Sequence, residues 1–176
     1  MLLFFMILAF AISTAAEVCL AQGHLLVPAV MMTGFYFTVT HSWHRSAIPF
    51  LASCIMLDLA FGRRLPFTWI MAPAIMLTAS YWRTHGNTEE ALVQIVPGLL
   101  TGLSSFITCT AYSAYAFFAL GQHAAIFSPV NLLLYSLAGA LCFPAYARIL
   151  DMIAYQLRLG RFSAAGSDRM LVEEED

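Results

Sequence analysis

Asp58 stands inside the apolar run Cys54-Ile55-Met56-Leu57-Asp58-Leu59-Ala60-Phe61-Gly62. A carboxylate at the centre of a bilayer costs roughly 2.5–3.5 kcal/mol on insertion scales and less toward the interface, so it should face other helices and find a donor. Two roles fit. It is either an acid that takes a proton or a substrate, or a structural acid near the outer surface, bonded to Arg63, Arg64 or a hydroxyl from another span. Asp58, Arg63 and Arg64 are therefore the candidate buried-acid or pocket residues. Near the last apolar run, Arg148 and Asp151 lie three apart, a spacing that puts them on one helical face and predicts an ion pair there. His24, His41, His44, His85 and His123 all fall at or near breaks between apolar runs. His41 and His44 have the spacing of two metal ligands on one helix, but no third ligand is near, and no metal site is expected. Cys19, Cys54, Cys109 and Cys142 lie in or at the edge of apolar runs without a C-x-x-C spacing, so they read as small hydrophobes. Gly98 and Gly102 lie one turn apart, followed by Ser104, Ser105, Thr108 and Ser113. Small residues at this spacing let a second helix approach closely. Gly98, Gly102 and Ser105 are the predicted packing residues, serving either a partner protein's membrane helix or another helix of this chain. No nucleophile–base pair, glycine-rich phosphate loop or metalloprotease motif is present, so neither enzymatic chemistry nor a cofactor is expected.

The elements that must position these residues are apolar. With 61% hydrophobic and 10% charged residues, the chain cannot cover a water-facing surface, since soluble domains hold about 25% charged residues. Apolar runs extend from Leu2 to Leu20, Leu25 to Val39, Ala47 to Gly62, Pro66 to Trp82, Ala91 to Leu120 and Pro129 to Leu157. They predict an all-α fold, a polytopic transmembrane helix bundle of about six spans. Pro28, Pro73, Pro97 and Pro144 lie inside or near the ends of spans, where they can kink them. The second and third runs are short against the roughly 20 residues a crossing needs. Ser13-Thr14-Ala15 resembles a signal cleavage site, but no basic segment precedes it and Glu17 follows at once, so the first run is read as a span. Arg45 and Arg83 fall in one set of loops, with Arg148, Arg158, Arg161 and Arg169 toward the same side, against Arg63 and Arg64 on the other. Positive charge collects inside, which predicts both termini in the cytoplasm. Trp43, Trp69, Tyr81 and Trp82 fall near span ends. Residues 1–157 form the predicted bundle and 158–176 a disordered cytoplasmic tail ending in Glu173-Glu174-Glu175-Asp176. Arginines scattered singly or in pairs give no basic patch for nucleic acid.

In their order these features resemble the rod shape-determining membrane protein family MreD. In that family an apolar helix is followed by a short basic turn, then a helix ending in an acid–Leu pair and a glycine-containing outer turn. Here those parts are the run to Thr40, His41-Ser42-Trp43-His44-Arg45, and Met56-Leu57-Asp58-Leu59-Ala60-Phe61-Gly62-Arg63-Arg64-Leu65-Pro66. The basic turn Tyr81-Trp82-Arg83 and a last span carrying Pro144 with a basic exit complete the likeness, over roughly residues 24–162. The resemblance implies a noncatalytic scaffold in the bacterial cytoplasmic membrane. It would dock the membrane helix of a bitopic MreC-like partner and, through it, MreB-like filaments and peptidoglycan synthases. Asp58 would then shape that platform or an interhelical pocket. Homo-oligomerisation stays open. The rival expectation is a substrate-capture component like those of energy-coupling-factor vitamin transporters, which are six-helix bundles of similar size. Fold alone does not separate the two. A polar outward-facing pocket would, with Asp58, Arg63, Arg64 and His123 as candidates. An intramembrane lipid-acting enzyme would need paired polar catalytic groups at matching depth, and only isolated ones are present.

Overall fold

The computed structural model describes residues 1–23, 25–86, 93–121 and 129–163. The described residues form six helices and no strand: α1 (Leu2–Gln22), α2 (Ala29–His41), α3 (Trp43–Ala60), α4 (Phe67–His85), α5 (Ile95–Leu120) and α6 (Pro129–Gln156). His24, His123, Ala91, Arg169 and the acidic tail lie outside them. Three helices, α1, α5 and α6, are long and apolar enough to cross a membrane. Large apolar side chains point outward from five helices, among them Phe4 and Ile7 on α1, Ile48 and Leu59 on α3, Leu77 on α4, Leu103 on α5 and Leu141 on α6. So much exposed hydrocarbon is stable in lipid and a liability in water.

The remaining helix, α2, is the axis of the bundle. It packs against α1, α3, α4, α5 and α6, and every residue from Ala29 to Val39 is buried. Its sequence, rich in β-branched and aromatic residues, is a poor helix former in water. In apolar surroundings the backbone has only its own carbonyls to satisfy its N–H groups, and the helix follows. A helix apolar on all sides belongs in an interior. At 13 residues it is about 20 Å long, at 1.5 Å per residue. It begins at Ala29 rather than Leu25 because Pro28 disfavours the helical conformation at Val27.

Between α2 and α3, Ser42 takes a positive φ of 72°. This corrects the expectation that His41 and His44 share a helical face: the kink puts His41 at the end of α2 and His44 at the start of α3, which begins four residues before the expected Ala47. Hydroxyls inside the bundle bond back to carbonyls of their own helices, as Thr38 does to Gly34 O at 2.7 Å. One set does more. Ser13 Oγ, Thr33 Oγ1 and Tyr146 Oη lie within 2.6–2.7 Å of one another and tie α1, α2 and α6 together.

At the end of the bundle near the C-terminus, the expected Arg148–Asp151 pair is absent among the described residues. Arg148 is exposed, while Asp151 accepts hydrogen bonds from Tyr36 Oη at 2.7 Å and from the backbone N–H groups of Phe162 at 2.6 Å and Ser163 at 3.0 Å. The cause is the turn after α6. Arg158 adopts a left-handed φ of 54°, and the Leu159 N–H reaches back to Ala154 O at 2.9 Å. The chain thereby returns over the helix end, and Phe162 is buried, stacked on Tyr36 with ring centroids 5.8 Å apart. A non-glycine residue in this conformation costs about 1–2 kcal/mol, and glycine loses about 0.5–1 kcal/mol more entropy on folding. Arg158→Gly should therefore raise the unfolding free energy by up to about 1 kcal/mol. A titration into denaturing detergent reads this out, and a loss of stability would show that the arginine side chain outweighs its backbone strain.

Candidate functional site

At the opposite end, α3 stops in a glycine-dependent reversal. The Gly62 N–H bonds Leu59 O at 3.0 Å and the Arg63 N–H bonds Asp58 O at 2.9 Å, the paired bonds of a Schellman turn, with Gly62 in the left-handed position at φ 64°. This turn throws Arg63 back over the helix it has just left. Its Nη1 lies 2.9 Å from Asp58 Oδ1 and 2.8 Å from Thr68 Oγ1. Thr68 in turn donates its hydroxyl to Asp58 Oδ1 at 2.6 Å and its backbone N–H to Asp58 Oδ2 at 2.9 Å. Of the partners open to Asp58, the structure uses Arg63 and a hydroxyl from the next helix, and leaves Arg64 exposed. The ion pair is buried, with side-chain exposures of 10% for Arg63 and 3% for Asp58. The guanidinium carbon lies 5.1 Å from the centroid of the Phe61 ring and 5.6 Å from that of Tyr112. Because Thr68 is in the first turn of α4, Asp58 also places negative charge at a helix N-terminus, where it is favourable.

Glu17 repeats the device one helix pair earlier. Its Oε2 accepts the Val30 N–H at 2.8 Å, in the first turn of α2. Both carboxylates border a cavity of about 300 Å³ or sit directly behind its wall. The polar residues Glu17, Arg63, Thr68, Tyr112 and Tyr135 line it, together with Ser105, Thr108 and Ser113. Leu26, Val27, Met31, Leu57 and Phe61 make its apolar wall. A second space, apolar and about 570 Å³, is a groove on the flank between α1 and α3, bordered by Ile7, Phe10, Val18, Pro49 and Met56.

The predicted packing residues divide between two tasks. A Cβ on Gly98 would overlap the Gly139 carbonyl of α6, and one on Gly102 would overlap the Tyr135 carbonyl. The crevice those glycines open is filled by this chain's own α6. Ser105 instead faces the cavity. Among the described residues no three His, Cys, Asp or Glu side chains group as metal ligands. Glu17, Tyr112 and Tyr135 carry the cavity and were not singled out from the sequence. For Glu17 a signal existed, since it is an acid bordering an apolar run, as Asp58 is. The two tyrosines had none, because aromatic residues are ordinary in membrane helices.

Fold and site together define an all-helical membrane bundle with a buried ion pair and a polar cavity at one end and an apolar groove on its flank. No family model, curated protein or solved structure matches the chain.

Proposed function

We propose that the protein is a noncatalytic scaffold of the bacterial machinery for wall growth and cell shape, an MreD-like subunit of the cytoplasmic membrane. In this reading the chain crosses the bilayer about six times, both termini are cytoplasmic, and the turns with Arg45 and Arg83 lie inside, with Arg63 and Arg64 outside. The observation that carries it is the apolar groove between α1 and α3, a surface shaped to take a single membrane helix from a bitopic MreC-like partner. Asp58 then has a structural task, fastening the outer turn so that α3 presents its side of the groove. Co-purification from mild detergent should recover a partner with one membrane helix and an extracytoplasmic domain. Ala15→Phe and Ala52→Phe place bulk in the groove from exposed positions. Each should reduce partner recovery at least tenfold while leaving the thermal midpoint within a few degrees. Recovery of the lone protein, with normal wall growth in cells lacking it, rejects the proposal.

A second reading, a capture subunit for a small solute, is favoured by one observation, the polar cavity beside Asp58 and Arg63. Convergent polar groups over an apolar wall are what small-molecule sites have in common.

A further inference from the structure

We infer that the cavity beside Arg63 is a binding site for a small molecule carrying a protonated amine, with Glu17 as its counter-ion. The inference deepens the capture reading and rests on the cavity being a ligand site; the scaffold proposal stands or falls separately.

The argument begins with the charges. Asp58 and Arg63 neutralise each other at 2.9 Å, and Arg63 Nη1 is already given to Asp58 and Thr68. Its Nη2 meets only the Cys109 Sγ at 3.4 Å, and the guanidinium faces are covered by Phe61 and Tyr112. Arg63 is thus held by the wall. Glu17 is not neutralised in this way. Among the described residues Asp58–Arg63 is the one ion pair, and Glu17 Oε2 accepts the Val30 N–H at 2.8 Å, with the Ala29 N–H also directed at the carboxylate. A carboxylate offers about four lone-pair sites, so accepting capacity remains for a group in the cavity that Glu17 lines. An ionised carboxylate without a counter-charge is costly in apolar surroundings. A proton relieves this cost, and so does a cation with several hydrogen-bond donors, which would also occupy the cavity.

The rest of the wall selects the same group. Thr108 donates its hydroxyl to Ser104 O at 2.9 Å, which leaves its oxygen lone pairs as acceptors. Tyr112 and Tyr135 also line the cavity, and aromatic rings attract cations. An ammonium with three donors matches one carboxylate flanked by hydroxyl oxygens. Leu57 and Met31 take an apolar body. At about 30 Å³ of liquid volume per water, a cavity of about 300 Å³ admits a molecule of roughly ten non-hydrogen atoms. Two sources offer this chemistry, a free organic amine and the ethanolamine headgroup of a phospholipid.

The test uses the full chain in mild detergent, titrated calorimetrically with 4-phenylbutylamine and, as the neutral isostere, 4-phenylbutanol. The amine should bind at least tenfold more tightly than the alcohol, and Glu17→Gln should abolish that preference. The glutamine carbonyl can still accept the Val30 N–H, so the helix start is kept. Ser113→Leu, which fills the cavity from a half-buried position, should weaken the amine at least tenfold and serves if the first variant does not fold. A parallel arm compares thermal midpoints in nanodiscs of phosphatidylcholine alone and with phosphatidylethanolamine. Stabilisation by phosphatidylethanolamine that vanishes in Glu17→Gln or Ser113→Leu, without binding of the free amine, upholds the site and discards the capture reading. Equal binding of amine and alcohol with no headgroup effect overturns the inference. So does an amine preference that survives both variants.

Discussion

Asp58→Ala lowers the unfolding free energy of the bundle by about 3–5 kcal/mol, the cost of removing one partner from a buried ion pair. The magnitude follows from where Arg63 is held. The left-handed turn at Gly62 aims the arginine into the bundle, and Phe61 and Tyr112 flank its guanidinium, so the stranded charge is left only partly hydrated at the cavity wall. The same substitution removes the acceptor of the Thr68 N–H, worth about 1 kcal/mol as a lost helix cap. Asp58→Ala combined with Arg63→Met should recover most of the loss, because replacing both ions of a buried pair by apolar groups is often neutral. Unfolding by titration with denaturing detergent in mixed micelles measures both variants. A loss below about 1 kcal/mol for the single variant would place the pair with solvated surface bridges, and the outer turn would then need another explanation.

Gly98→Leu should cost at least about 3 kcal/mol, the upper part of the range for overpacking. The neighbour at Gly98 is the backbone of Gly139 and Ala140, which cannot rotate aside as a flexible side chain would. Gly139→Ala meets the same obstacle from the other helix, at the Gly98 carbonyl. Leu99→Ala, one residue on and 40% exposed, should change stability by less than about 0.5 kcal/mol. The comparison separates the two roles the glycines admit. A crevice that served a partner would give a Gly98→Leu protein that is stable alone and fails only in co-purification.

The helical class and the positions of the apolar segments were legible because charge is nearly absent and each segment ends at proline, glycine or a basic turn. Segment ends were less legible where backbone conformation rather than hydropathy sets them. Ser42 and Arg158 adopt left-handed conformations that no residue preference announces. Their effect is large: one separates His41 from His44, and the other returns Phe162 to the core and redirects Asp151 away from Arg148. The pairing of Asp58 with Arg63 could be narrowed from spacing and the glycine between them, since a reversal after α3 brings the two together. The cavity could not. It is lined by residues of all six helices, and which of their faces meet depends on the central α2, whose own composition is uniform on every side. That uniformity also explains why α2 gave no periodic signal: a helix surrounded by its own chain has no outer face to mark.

The two partners that satisfy α2 from afar impose an order on biogenesis. Thr33 and Tyr36 bond Tyr146 and Asp151, made 113 and 115 residues later. At translation rates of about 5–20 residues per second, that interval lasts roughly 6–23 s. Throughout it the nascent α2 must be sheltered by the insertion machinery or by its flanking helices, so the bundle closes around α2 only after α6 has been made.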